Sequence, residues 1–202
     1  MSKTFSSSAQ PCDAAPGRVS RIDCRDSDVV EKIALAVSAL IAEYDRTQDD
    51  NSRVILCVGS DRSTGDALGP LVGTYLSRLQ LPRTLVRGTL AKPVHALNLA
   101  SCINEFKLGS RSPLVVAVDA SLGKPGNVGL IEIGRGPLYP GAGVNKKLPP
   151  VGNIYLSGIV NLGGFMEQMV LQSTRLFHVM EIATAIGRGL HKALVYPQHS
   201  LT

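Results

Sequence analysis

Apolar residues along this chain follow two spacings, and the switch from one to the other marks out the fold. Val30, Ile33, Ala34, Val37, Leu40 and Ile41 recur every three or four positions, which predicts a helix from about Ser27 to Asp45. Asp26 or Ser27 suits its N-cap, with acids in the first turn, and the polar TQDDNS closes it. The spacing then collapses to a continuous run, Val54 to Val58, the pattern of a strand buried on both faces. A second helix, Leu68 to Leu79, carries Leu68, Leu71, Val72, Tyr75, Leu76 and Leu79 on one side. Pro70 is tolerated there because it falls in the first turn.

The same reading gives a strand at Thr84 to Leu90, a helix from Pro93 to about Phe106, and a uniformly apolar strand from Leu114 that terminates at Asp119. Further strands are expected at Val128 to Ile133 and Asn153 to Ile159. Between them lies a long irregular stretch, Gly134 to Pro150, rich in proline and glycine; loops of that length in compact domains are usually functional or mobile. The last large element spans about Gly164 to Leu190, with Phe165, Met166, Met169, Leu176, Met180, Ala183 and Leu190 assigned to its core side. Alternating strands and helices with apolar strands predict an α/β fold. Its form is three layers, α/β/α, around a mostly parallel twisted sheet of about five strands. Residues 1–25, rich in Ser, Pro, Ala and Gly without a period, read as a disordered tail, and residues 26–202 as one domain.

Composition narrows the function classes. Hydrophobic residues make up 44% of the 202 positions, enough for a sizeable core. No apolar run approaches the ~18 residues a membrane helix needs, and MSKTFSSSAQ lacks the apolar segment of a secretory signal. A cytoplasmic protein that does not engage a membrane is the expectation. The 21 Lys+Arg against 16 Asp+Glu give +5, but the cations are scattered and only nine aromatics (five Tyr, four Phe) accompany them, so nucleic-acid binding is not indicated. Cys12, Cys24, Cys57 and Cys102 show no metal-like spacing; Cys57 and Cys102 read as small buried hydrophobes. No cofactor is implied.

Chemistry concentrates at VILCVGSDRSTGDALGP. A strand runs into Gly59, a polar loop follows, and Asp66 opens a helix. A phosphate cradle fails on residue type: a P-loop places lysine after its last glycine, and Asp66 stands there instead. Nor does anything fit G-x-G-x-x-G. Asp66 alone could be a helix cap, and Asp119 likewise. In a wound sheet, however, ligands sit beyond the carboxyl ends of the strands, where Asp66, His95 and Asp119 all project. Two carboxylates brought together cannot both ionise cheaply, which suits one as general base and the other as general acid. Arg62, His95, Asn145 and Lys146 are the candidate substrate-binding residues, with Asp61, Asn98, Asn127 and Asn161 as further polar candidates.

STGDALGP resembles the T-P-D-A-L-G-P loop of bacterial germination (spore) proteases. AVDAS at 117–121 is similar to their V-I-D-A-L strand end, and PGAGVNKK at 140–147 to their P-G-S-G-V-G-N-K/R segment. Gly65 stands where those proteases have proline, and Tyr139 where they carry histidine. GSDRSTGDALGPLVGTYL and GFMEQMVLQSTRLF resemble the YyaC-type sporulation proteins more closely still, over about residues 28–190. The resemblance implies a fold like that of phosphorylases and hydrogenase-maturation proteases. It also implies an aspartic-type peptidase site with Asp66 and Asp119 as its catalytic acids, acting on proteins or peptides, small acid-soluble spore proteins first among them, in the developing spore. Two other readings stay open: a non-catalytic sporulation protein that binds a peptide in the same pocket, and a metal-recognising maturation-type endopeptidase. The maturation enzymes recognise nickel through two acids and a later histidine. Of the later histidines, His178 reads as solvated, and His191 and His199 as lying at or beyond the end of the last helix. The number of subunits is left open, a homo-oligomer included.

Overall fold

A computed structural model describes residues 19–45, 52–107, 112–141 and 148–196. The order of elements is β1 (Ser20–Asp23), α1 (Val29–Asp45), β2 (Arg53–Cys57), α2 (Leu68–Leu76), β3 (Thr84–Arg87), α3 (Leu99–Lys107), β4 (Leu114–Gly123), β5 (Leu130–Arg135), β6 (Ile154–Leu162), α4 (Glu167–Gln172) and α5 (Leu176–Val195). The six strands form one sheet in the order β1-β5-β6-β4-β2-β3. β6, β4, β2 and β3 run parallel, and β5 and β1 complete one side antiparallel. The α/β, mostly parallel reading of the sequence holds.

Strand β2 shows why a continuous apolar run reads as a doubly covered strand. Ile55 and Cys57 face one core, shared with α1, α2 and α5. Val54 and Leu56 face the other, where Leu99 and Cys102 of α3 meet Leu138 and Val151. All four strand residues are fully buried or nearly so. Burial pushes the Cys57 thiol well above its ordinary range, which leaves it an inert core residue.

Four expectations need correction. The first is the tail: Ser20–Asp23 is an edge strand, paired with β5 from Ser20↔Ile133 to Asp23↔Leu130 and tied by an Arg21–Glu132 ion pair of 2.8 Å. Only Ile22 of this strand is buried, too little apolar signal to read from a sequence; residues 1–18 lie outside the described residues. The second is the strand after Asp119. β4 continues through Gly123, and the short 3-10 link Pro125–Asn127 returns the chain antiparallel as β5, because a parallel return would need a long crossover.

The third concerns only the bounds of the long loop, which starts after Arg135 and ends before Ile154. Its described parts, residues 136–141 and 148–153, cover the sheet in place of a helix: Leu138 and Val151 exchange backbone hydrogen bonds of 2.8 and 2.9 Å over the second core. The fourth is the last element, which breaks into α4 and α5 at Ser173–Arg175. Phe165, Met166, Met169, Leu176 and Met180, assigned to the core, are exposed, Phe165 by 89%, whereas Ala183 and Leu190 are buried as expected. Among the described residues no helix is long and apolar enough to cross a membrane.

Candidate functional site

The end of β2 is closed down by glycines. Gly59 has φ +139°, and a Cβ there would lie 2.0 Å from the Asp66 carbonyl oxygen. This close approach brings the 3-10 turn Gly65–Ala67 back over the strand end, where Ser60 N–H donates to that carbonyl at 3.2 Å. α2 follows without a break and packs equally close, a Cβ on Gly69 falling 2.0 Å from the Val58 carbonyl oxygen. The cap position of the turn is Thr64 and that of α2 is Ala67; neither makes a side-chain cap bond. Asp66 is the middle residue of the turn, so it is not the N-cap of either element. Its side chain lines a cleft instead.

Asp119 reaches the same cleft from β4. Strand β2 pairs with β4 only as far as Cys57↔Val118, whereas β6 goes on pairing past Asp119↔Ser157. Asp119 therefore stands where one neighbour has stopped and the other continues. It is 6% exposed, and Ala120 N–H donates to its Oδ1 at 2.8 Å. Burial first, and the negative charge of Asp66 second, push its carboxyl well above the usual carboxylate range, against the weaker opposing pull of the Ala120 N–H. Oδ1 is committed to that N–H, so Oδ2 is the oxygen left to carry the proton. Just beyond, the register of β4 shifts between Ser121 and Leu122, a bulge of the kind found beside functional sites.

The cleft holds about 450 Å³ and is lined by Asp66, Asp119, Arg62 and His95 among others. Four of the six residues chosen from the sequence are thus brought together; Asn145 and Lys146 lie outside the described residues. Arg62 is exposed at the rim, where its backbone N–H donates to Ser60 Oγ at 3.2 Å. His95 sits on the loop after β3, which is fastened to the β2 end by a Gly59 N–H to Val94 oxygen bond of 2.8 Å. Asn98 shapes that loop, accepting from His95 N–H at 2.8 Å and donating to the Pro93 oxygen at 3.0 Å. Asn161 likewise serves structure, donating to Thr174 Oγ1 at 3.2 Å.

The sequence did not point to α4 as a wall. Gln168, Leu171 and Gln172 line the cleft from that helix. A Cβ on Gly65 would meet Leu171 Cδ2 at 2.8 Å and Thr174 Oγ1 at 3.0 Å, so the missing side chain lets α4 lie against the turn. The turn at Gly65 is a packed one, with Gly65 buried. Gly65→Ala should cost about 1–3 kcal/mol by overpacking and displace Leu171. Thermal unfolding and the Leu171 methyl NMR signals check this, and an unchanged Leu171 environment would contradict it. Among the described residues no group of three or more His, Cys, Asp or Glu is placed to hold a metal ion. His178 is half-exposed, 3.5 Å from Glu181, and His191 lies within α5.

Residues 21–189 match the family model described as "Protein of unknown function (DUF1256)". The chain belongs to this family. The match opens inside β1, so the edge strand is part of the DUF1256 domain and not of a tail. A curated relative, "Uncharacterized protein YyaC" of Bacillus subtilis (strain 168), is 54% identical over 137 residues, which cover 68% of this chain and 67% of the relative. The likeness to YyaC-type proteins read from the sequence is borne out. Both carboxylates, Arg62, His95 and the α4 wall fall within the DUF1256 match.

Proposed function

We propose that this DUF1256 protein is an endopeptidase of the spore and germination protease type, with Asp66 and Asp119 as its acid–base pair. The observation that carries this reading is the meeting of Asp66 and the buried Asp119 in one accessible cleft, where burial and the charge of Asp66 push the Asp119 carboxyl well above the usual carboxylate range. One retained proton shared between two neighbouring acids is what hydrolysis of an amide requires. Asp66, the more exposed acid, takes a proton from water as its oxygen attacks the carbonyl carbon. Asp119 Oδ2 gives its proton to the amide nitrogen as the C–N bond breaks. The products are a carboxylic acid and an amine, and proton exchange with solvent restores the pair. Arg62 and His95, on the cleft wall, hold the peptide. The order of the three sequence motifs supports small acid-soluble spore proteins as substrates and the developing spore as the place of action.

Incubating the full chain with small acid-soluble spore proteins should yield specific fragments. Asp66→Asn and Asp119→Asn should each lower the rate by a factor on the order of 10²–10⁴ with the far-UV circular dichroism unchanged. Cleavage retained by either variant overturns the pair. A stable complex that yields no fragments assigns the same cleft to peptide binding without catalysis.

A further inference from the structure

Beside the large cleft lies a second cavity of about 210 Å³, and the two share Asp66, Asp119, Gly141 and Leu171 in their walls. The acid pair therefore stands at a junction, with space on both sides. The larger side has Arg62 and His95. The smaller side has Ser121, Leu122, Leu138, Tyr139 and Ser157, and apart from the acid pair no charged residue among those described.

Strand geometry explains these walls. Ser121 lies two residues beyond Asp119 on β4, hence on the same face and about 7 Å further along. Ser157 is the cross-strand partner of Asp119 on β6. The two hydroxyls bond to each other at 2.8 Å, which leaves one O–H hydrogen between them for a bound group. Leu138, 8% exposed, comes from the covering loop, and Tyr139, 64% exposed, stands beside it. A cavity of about 150 Å³ is enough for a benzene ring, so this one accepts a single side chain up to aromatic size.

We propose that the smaller cavity is a specificity pocket seating one uncharged side chain of a peptide beside the bond that the acid pair attacks. The position of the pocket rests on the peptidase reading, but its occupancy does not depend on catalysis. A carboxylate brought into it would meet Asp66 with no cation among the described lining residues to offset the repulsion. An ammonium group, though drawn toward Asp66, would shed its hydration against Leu122 and Leu138, a desolvation cost that exceeds the gain from one such pair. An aliphatic or aromatic side chain gains by leaving water there.

The test is a methyl NMR titration of the full chain with N-acetyl-leucinamide, N-acetyl-lysinamide and the α-amide of N-acetyl-glutamate. The leucine derivative should shift the Leu122 and Leu138 methyl signals in a saturable way, and the two charged derivatives should not. Ser121→Val, a β-branched residue that suits a strand, should fill the pocket and weaken that binding about tenfold or more. Unmoved Ile55 and Leu156 methyl signals verify its fold, and Ser157→Val takes its place if those signals move. The pocket is overturned if the leucine derivative gives no saturable shift, if a charged derivative binds as well, or if the filled variants bind unchanged. Saturable leucine binding without cleavage of any spore protein supports the pocket and overturns only the peptidase reading. Cleavage without such binding does the reverse.

Discussion

Asp119→Asn should melt above the wild-type protein at neutral pH while abolishing the cleavage proposed for the acid pair. In the folded chain burial and Asp66 hold the Asp119 proton to higher pH than in the unfolded chain, where its pKa is about 3.9. The sign follows directly. Stability linked to this proton is fully present below about pH 4 and is lost as pH rises through the raised folded value. Each pH unit in that window removes about 1 kcal/mol or slightly more. Asparagine resembles the protonated acid at every pH and keeps an Oδ1 to accept the Ala120 N–H, so the variant escapes the loss. For a domain of this size each kcal/mol is worth about 2–4 °C. The two melting curves should converge near pH 4 and separate as pH rises. In an Asp66→Asn background the separation should shrink, because one of the two causes of the raised pKa is gone. A variant that melts lower than wild type at neutral pH, or a gap that stays constant with pH, would make Asp119 a structural acid. Stability gained where activity is lost is the usual mark of a residue kept for function.

Much of this arrangement was legible because the sequence signals were local. The run Val54–Val58 needed only its own apolarity to read as a doubly covered strand, and its burial on both faces follows. Asp66 and Asp119 could be paired from topology alone, since parallel neighbours deliver their ends to one edge. The α4 wall was not legible. Its spacing continues that of α5, and nothing local announces that Met166 turns left-handed at φ +55° or that Thr174 is buried at the break. The apolar residues assigned to the core there are exposed because a short helix held against Gly65 has no room to bury them. Ser121 and Ser157 were missed for a different reason. Their meeting depends on the β4–β6 register across 36 residues of sequence, and serine carries no periodic signal of its own.

Gly59→Ala should be strongly damaging for so small a substitution. Two separate costs fall on the one methyl group. At φ +139° an alanine backbone is strained by about 1–3 kcal/mol. The Cβ would also lie 2.0 Å from the Asp66 backbone oxygen and 3.0 Å from Pro70 Cδ, and neither a backbone oxygen nor a proline ring can swing aside as a flexible side chain would. Adding about 1–3 kcal/mol for the overpacking brings the expected loss to about 2–6 kcal/mol, a large share of the 5–15 kcal/mol that stabilises a typical domain. Relief requires the 3-10 turn to lift off the strand end, which breaks the Ser60 N–H to Asp66 bond and carries the Asp66 carboxylate away from Asp119. Two other glycines separate the causes. Gly136, at φ +112° with no neighbour within 4 Å, isolates the backbone strain, and Gly126, with open space and no positive φ, isolates neither cost. Denaturant unfolding of the three alanine variants should rank Gly126→Ala near neutral, Gly136→Ala intermediate and Gly59→Ala far below both. If Gly59→Ala matches Gly136→Ala, the turn yields without cost, and the close approach of strand and turn is not what holds Asp66 in place.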